Sequence, residues 1–153
     1  MKKLLAGLVF SLFALALSGT AFAADKGSAD EAAAMVKKAV AYLKANGKEK
    51  AFAEFSNPNG QFKDRDLYIF VMDMSGKSLA HGANAKLIGK NLMELKDADG
   101  KSFVKSFFDV ANSKGKGWVD YKWPNPVNAA VEQKSTYIEK VDDIVVGCGI
   151  YKS

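Results

Sequence analysis

The chain has 153 residues, 22 of them basic and 17 acidic, with one histidine, one cysteine and a formal charge of +5. A single histidine and a single cysteine exclude a Cys/His zinc set, a haem-attachment CxxCH and an internal disulfide. The lysines are spread along the chain without a dense cluster, which argues against nucleic acid as a partner.

The chain opens with an export pattern. Lys2 and Lys3 form a positive lead, residues 4–17 are apolar, and Ala21-Phe22-Ala23 fits the small-x-small cleavage rule. Cleavage after Ala23 is expected, placing the mature chain, residues 24–153, in the periplasm or outside the cell, with no stable membrane insertion afterwards. Loss of Lys2 and Lys3 leaves 20 basic against 17 acidic residues, a mature charge of +3.

Ser28 and Glu31 have capping-box spacing, so a helix is predicted from that point. Ala32, Met35, Val36, Ala39, Tyr42 and Leu43 recur at helical spacing, and Asn46-Gly47 supplies the stop. A shorter helix over residues 48–55 ends in the turn-rich residues 56–60. Residues 67–72 form an apolar run of strand composition, and residues 73–76 read as a hairpin turn into a second strand ending at His81. Residues 82–96 show no sustained period and are expected to be loop with short helical turns. After a turn at residues 97–100, Phe103, Val104, Phe107, Phe108, Val110 and Ala111 mark one face of a helix ending near residues 114–117. Three strands follow, over residues 118–123, 131–141 and 144–151. Helices and strands in separate blocks predict an α+β fold with an antiparallel sheet in one domain.

Residues 117–137 concentrate aromatic and cationic side chains around Pro124 and Pro126, a combination suited to a small anion. Lys134 lies mid-strand, where a lysine either faces water or has a partner, and both alternatives stand. Period two puts Tyr121 and Trp123 on one face and Trp118 on the other, and separates Lys134 from Tyr137 unless a bulge intervenes. Core packing is the alternative for each aromatic. His81, the lone histidine, ends a strand at a loop entrance; a contact there would titrate near neutral pH. Residues 97–101 carry only part of a calcium-loop pattern, and Cys148 sits in apolar company, as a buried, inert thiol does. No nucleophile-and-base pairing is visible, so the chain is not read as an enzyme, and no cofactor or metal is expected.

The ordered motifs Asp66-Leu67-Tyr68-Ile69-Phe70-Val71, Ser75-Gly76, Leu79-Ala80-His81-Gly82, Ile88-Gly89-Lys90-Asn91, Asp97 with Asp99-Gly100-Lys101, Gly117-Trp118-Val119-Asp120-Tyr121, Lys134-Ser135 with Tyr137, Val146-Gly147 and Gly149-Ile150-Tyr151 together resemble the single Cache family of extracytoplasmic sensor domains. The resemblance implies a PAS-like fold: a long N-terminal helix behind a roughly five-stranded antiparallel sheet, with a ligand pocket on the other face. It also implies a small organic acid as ligand and a role in chemotaxis or signal transduction. Because the chain stops at Ser153 without a signalling module, a stand-alone exported sensor is expected. Its signalling partner would be a membrane-bound sensor kinase or chemoreceptor. Lys134 is expected to hold the carboxylate, Tyr68, Tyr121 and His81 to donate hydrogen bonds and Trp123 to wall the apolar part, with Trp118 and Tyr137 as further candidates. The alternative is a protein-interaction module docking through the helix over residues 28–46, with a vestigial pocket.

Overall fold

The computed structural model describes residues 25–152, so the expected leader lies outside the described residues. Helix α1 (Ala29–Asn46) starts where the capping box predicts: the Ser28 hydroxyl accepts from the Glu31 amide, and the Glu31 carboxylate accepts from the Ser28 amide. Gly47, at φ 80°, breaks the helix and begins α2 (Lys48–Phe55). Strands β1 (Lys63–Asp64) and β2 (Leu67–Tyr68) form a small antiparallel ladder of their own. Strands β3 (Phe70–Asp73), β4 (Ser78–His81), β5 (Lys116–Pro124), β6 (Val131–Val141) and β7 (Ile144–Tyr151) form the main sheet, and helix α3 (Phe103–Lys114) precedes β5.

The main sheet is antiparallel throughout, in the order β4-β3-β7-β6-β5. Residues 67–72, expected as one strand, divide at Ile69: β2 joins the small ladder and β3 joins the main sheet. Residues 82–96 hold one short 3-10 turn, Ala85–Leu87, in keeping with their lack of period.

The sheet separates two hydrophobic layers. On one face, Val36, Ala39, Val40 and Leu43 of α1 pack against Ile144, Val146 and Cys148 of β7. Full burial of a side chain such as Val36 contributes roughly 1.5–3 kcal/mol. On the other face, Phe103, Phe107 and Ala111 of α3 pack against Val119, Tyr121, Ile138 and Val145. Helix α3 covers only part of this second face. The uncovered part, bordered by β2, β4, β7 and the loop after β5, is where the polar side chains converge.

Candidate ligand-binding site

Strand periodicity delivers the site. Alternate positions on β5, β6 and β7 put Tyr121 and Trp123, Lys134 and Thr136, and Tyr151 on the α3 side of the sheet. β2 contributes Tyr68 and β4 contributes His81. Two adjoining cavities lie here. The inner one, about 20 Å³, is lined by Tyr68, Phe70, His81, Phe107, Tyr121 and Trp123 among others. The outer one, about 200 Å³, lies between Ala83-Asn84 and the loop Pro124-Asn125-Pro126. Tyr68, His81 and Trp123 line both, so they form the boundary between them.

Lys134 is only 1% exposed. Its Nζ donates to the Tyr68 hydroxyl at 2.7 Å and to the Tyr151 hydroxyl at 3.3 Å, and stands over both rings, 4.2 and 4.8 Å from their centroids. No ion pair joins it to an acidic side chain among the described residues. Burial pushes its ammonium down to about 7, against weaker opposite influences from Cys148 and Asp66. Cys148 supplies no counter-charge, because burial pushes its thiol up to about 12. The Lys134 charge therefore stands behind the cavity wall and reaches the cavity through Tyr68.

The surrounding groups present protons. Tyr68 accepts from Lys134, which leaves its own O–H to donate, 3.4 Å from the Tyr151 hydroxyl. Tyr151 donates to the Pro124 carbonyl at 2.8 Å and so ties β7 to the outer cavity's loop. The Trp123 indole, at the boundary of the two cavities, carries an N–H that can only donate. Tyr121 lies flat on Phe103, ring centroids 4.4 Å apart, with its hydroxyl 3.0 Å from Thr136 Oγ1. Burial pushes the ionisation of all three tyrosines, Tyr68, Tyr121 and Tyr151, to higher pH, which keeps them as neutral donors.

His81 corrects one expectation. Its Nδ1 accepts from the Ala83 amide at 3.2 Å and the Asn84 amide at 2.9 Å. Those two bonds assign the proton of the neutral ring to Nε2. Burial, with the Lys134 charge adding to it, pushes the imidazole down to about 3. His81 is thus a neutral fixture through physiological pH, and the expected near-neutral titration moves to Lys134.

Trp118 and Tyr137 are a second correction. They are directly paired across β5 and β6, their rings 5.4 Å apart, on the α1 side of the sheet. Tyr137 belongs to the α1 core and Trp118 is 41% exposed, so neither lines the cavities. The ladder across this pair is regular, and no bulge rotates either residue toward Lys134. The sequence reading also passed over Tyr151 and Thr136. Period two from Val145 through Gly147 and Gly149 reaches Tyr151, and from Lys134 it reaches Thr136, so the signal was available.

Residues 18–153 match the family model of single Cache domain 2. The chain belongs to the single Cache family. The Cache domain is similar to part of the methyl-accepting chemotaxis protein McpP of Pseudomonas putida, 31% identical over 58% of this chain and 16% of that protein. It is also similar to part of the sensor histidine kinase MctS of Rhizobium johnstonii, 30% identical over 57% of this chain and 19% of that one. The chain therefore spans less than a fifth of the length of either curated relative. Among solved structures, a methyl-accepting chemotaxis protein of Vibrio parahaemolyticus superposes with a TM-score of 0.70 at 27% identity, covering 80% of this chain and 86% of that one. A Cache chemosensory domain described for carboxylic acid recognition shares the fold, with a TM-score of 0.70 at 24% identity over 81% of this chain and 92% of that one. The Cache domain is a sensor module of the kind that chemoreceptors and sensor kinases carry outside the cytoplasm. Among the described residues, no helix is long and apolar enough to cross a membrane.

Proposed function

We propose that this Cache domain captures a short-chain carboxylate of two to four carbons and feeds its presence into chemotaxis or another signal-transduction pathway. The observation that carries this reading is the buried Lys134 ammonium, which has two phenols and no acidic partner among the described residues. An unpaired buried charge costs several kcal/mol, and a bound carboxylate offsets that cost. The carboxylate sits among Tyr68, His81 and Trp123, where every side chain offers a proton. The hydrocarbon end points into the inner cavity beside Phe70, Phe107 and Tyr121, and about 20 Å³ leaves room for little more than one water-sized group. That size limit favours short chains. The domain described for carboxylic acid recognition, which shares this fold, supports the same ligand class.

The test is titration calorimetry with acetate and propionate, compared with ethanol and propanol at pH 6.5. The acids are expected to bind and the alcohols not. The Lys134 charge acts on the ligand through the Tyr68 hydroxyl to which it donates, a charge-assisted contribution of roughly 1.5–3 kcal/mol, so Lys134→Met is expected to weaken the acids at least tenfold while keeping its buried stem. Equal affinity in wild type and Lys134→Met would place the charge anchor elsewhere.

A further inference from the structure

A buried amine that has lost access to water and has no acidic partner has two ways to exist. It can keep its proton and bear the desolvation cost, or release the proton and become a neutral amine hydrogen-bonded to its neighbours. Around Lys134 Nζ burial favours the second, and the contacts do not offset it. Its hydrogen-bonding partners, the hydroxyls of Tyr68 and Tyr151, are neutral and serve an amine as well as an ammonium. The ring faces beneath it favour a cation only modestly. Arrival of a carboxylate changes that balance, because an opposite charge a few ångströms away in a dry site favours the ammonium.

We propose that the Cache site takes up an anion and a proton together: in the empty site the buried Lys134, held only by phenol hydroxyls, gives up its proton, and the incoming carboxylate is the counter-ion that recharges it. The proton comes from the buffer and converts the Nζ amine to ammonium, so the site gains an anion and a proton with no net change in charge. This rests on the carboxylate reading above and adds to it that occupancy reports acidity as well as ligand concentration.

The other ionisable groups facing the ammonium leave this role to Lys134. Tyr68 on β2, Tyr121 on β5 and Tyr151 on β7 are all raised by burial and keep their protons. His81 on β4 is neutral above about 3, and Cys148 on β7 is a thiol until about 12. Asp66, immediately before β2, is the acid whose charge acts on Lys134, in the direction of keeping the proton on. Its Oδ1 accepts from the Gly27 amide at 2.8 Å, and it makes no ion pair with the lysine. Burial outweighs it and puts the empty-site ammonium at about 7. A simple carboxylic acid is already ionised well below that, so ligand and lysine titrate in separate ranges.

Two measurements decide the matter. In ligand-free protein labelled with lysine enriched at Cε, the Lys134 signal, assigned by its absence in Lys134→Arg, is followed by NMR from pH 5 to 10. A midpoint within about one unit of 7 is expected; a midpoint near the ordinary lysine value, about 10.4, overturns the proposal. Propionate binding is then measured by calorimetry at pH 8.5 in phosphate and in Tris, whose ionisation heats differ. Uptake of nearly one proton per propionate is expected, with affinity at least tenfold weaker at pH 8.5 than at pH 6.5. In Lys134→Arg, whose charge persists through this range, the pH dependence is expected to flatten. Binding with equal heats in the two buffers overturns the proton uptake and leaves the carboxylate reading standing, whereas no binding at either pH overturns both.

Discussion

Lys134 shapes the behaviour of the ligand-free molecule as well as the site. Its folded value, about 7, lies below the unfolded lysine value of about 10.4. Between those values the unfolded chain binds more protons than the folded one, so folding stability rises with pH. Below pH 7 the ammonium's full burial cost is borne by the fold. His81 acts in the same sense at lower pH: its folded value, about 3, lies below the unfolded 6.5, so acidification through that window takes stability away. The melting temperature of the ligand-free protein is accordingly expected to climb between pH 7 and 9, and to be nearly flat there in Lys134→Met. At pH 6 that variant is expected to melt several degrees above wild type, since an apolar replacement removes an uncompensated buried charge. Thermal melts followed by circular dichroism check both statements, and a wild-type melting temperature that fell from pH 7 to 9 would contradict the first.

At the level of elements, β7 explains how a lysine fits inside a sheet layer. A methyl group at Gly149 would overlap Lys134 Cε and Thr136 Oγ1, and one at Gly147 would overlap the Phe70 ring. The two glycines bracketing Cys148 therefore make room on the site face, one for the lysine stem and one for an aromatic of β3. Gly149→Ala is expected to displace Lys134 and cost roughly 1–3 kcal/mol through overpacking, with propionate affinity falling at least tenfold. Calorimetry together with urea unfolding measures both effects, and retained affinity in a folded Gly149→Ala protein would separate the lysine stem from the site. The element boundaries themselves were largely legible. The capping box, the glycine stops and the period-two runs are local signals, and α1, α2, α3 and β5 to β7 lie close to where those signals placed them. The break of residues 67–72 at Ile69 was not legible, because its cause is pairing with β1, a partner too short to announce itself by composition.

The whole molecule closes the site by a non-local step. β3 pairs with β7, with Phe70 opposite Gly147, and this brings Tyr68, just before β3, within hydrogen-bonding reach of Lys134, 66 positions away. The N-terminal part of the domain thus supplies Tyr68 and His81, and the C-terminal part supplies Trp123, Lys134 and Tyr151. Binding at such a junction is coupled to global folding, since unfolding takes the two halves of the wall apart. A ligand at a hundredfold its dissociation constant adds about 2.7 kcal/mol, several degrees in a domain of this size. A thermal-shift screen of residues 24–153 against small acids, amino acids and amines is expected to show that shift for short monocarboxylates and not for amines. A response confined to amines would contradict the donor-lined character of the cavity.

The sequence by itself determined the α+β layout, the helix caps, the alternation that separates Trp118 and Tyr137 from Tyr121, Trp123 and Lys134, and the family resemblance, because these depend on local spacing and ordered short motifs. The tertiary structure alone decided that Lys134 is buried, that its partners are Tyr68 and Tyr151, and that His81 is held neutral with its Nδ1 occupied. Those properties come from the strand order and from removal of water by residues distant in the chain, and electrostatic character of that kind has no local signature.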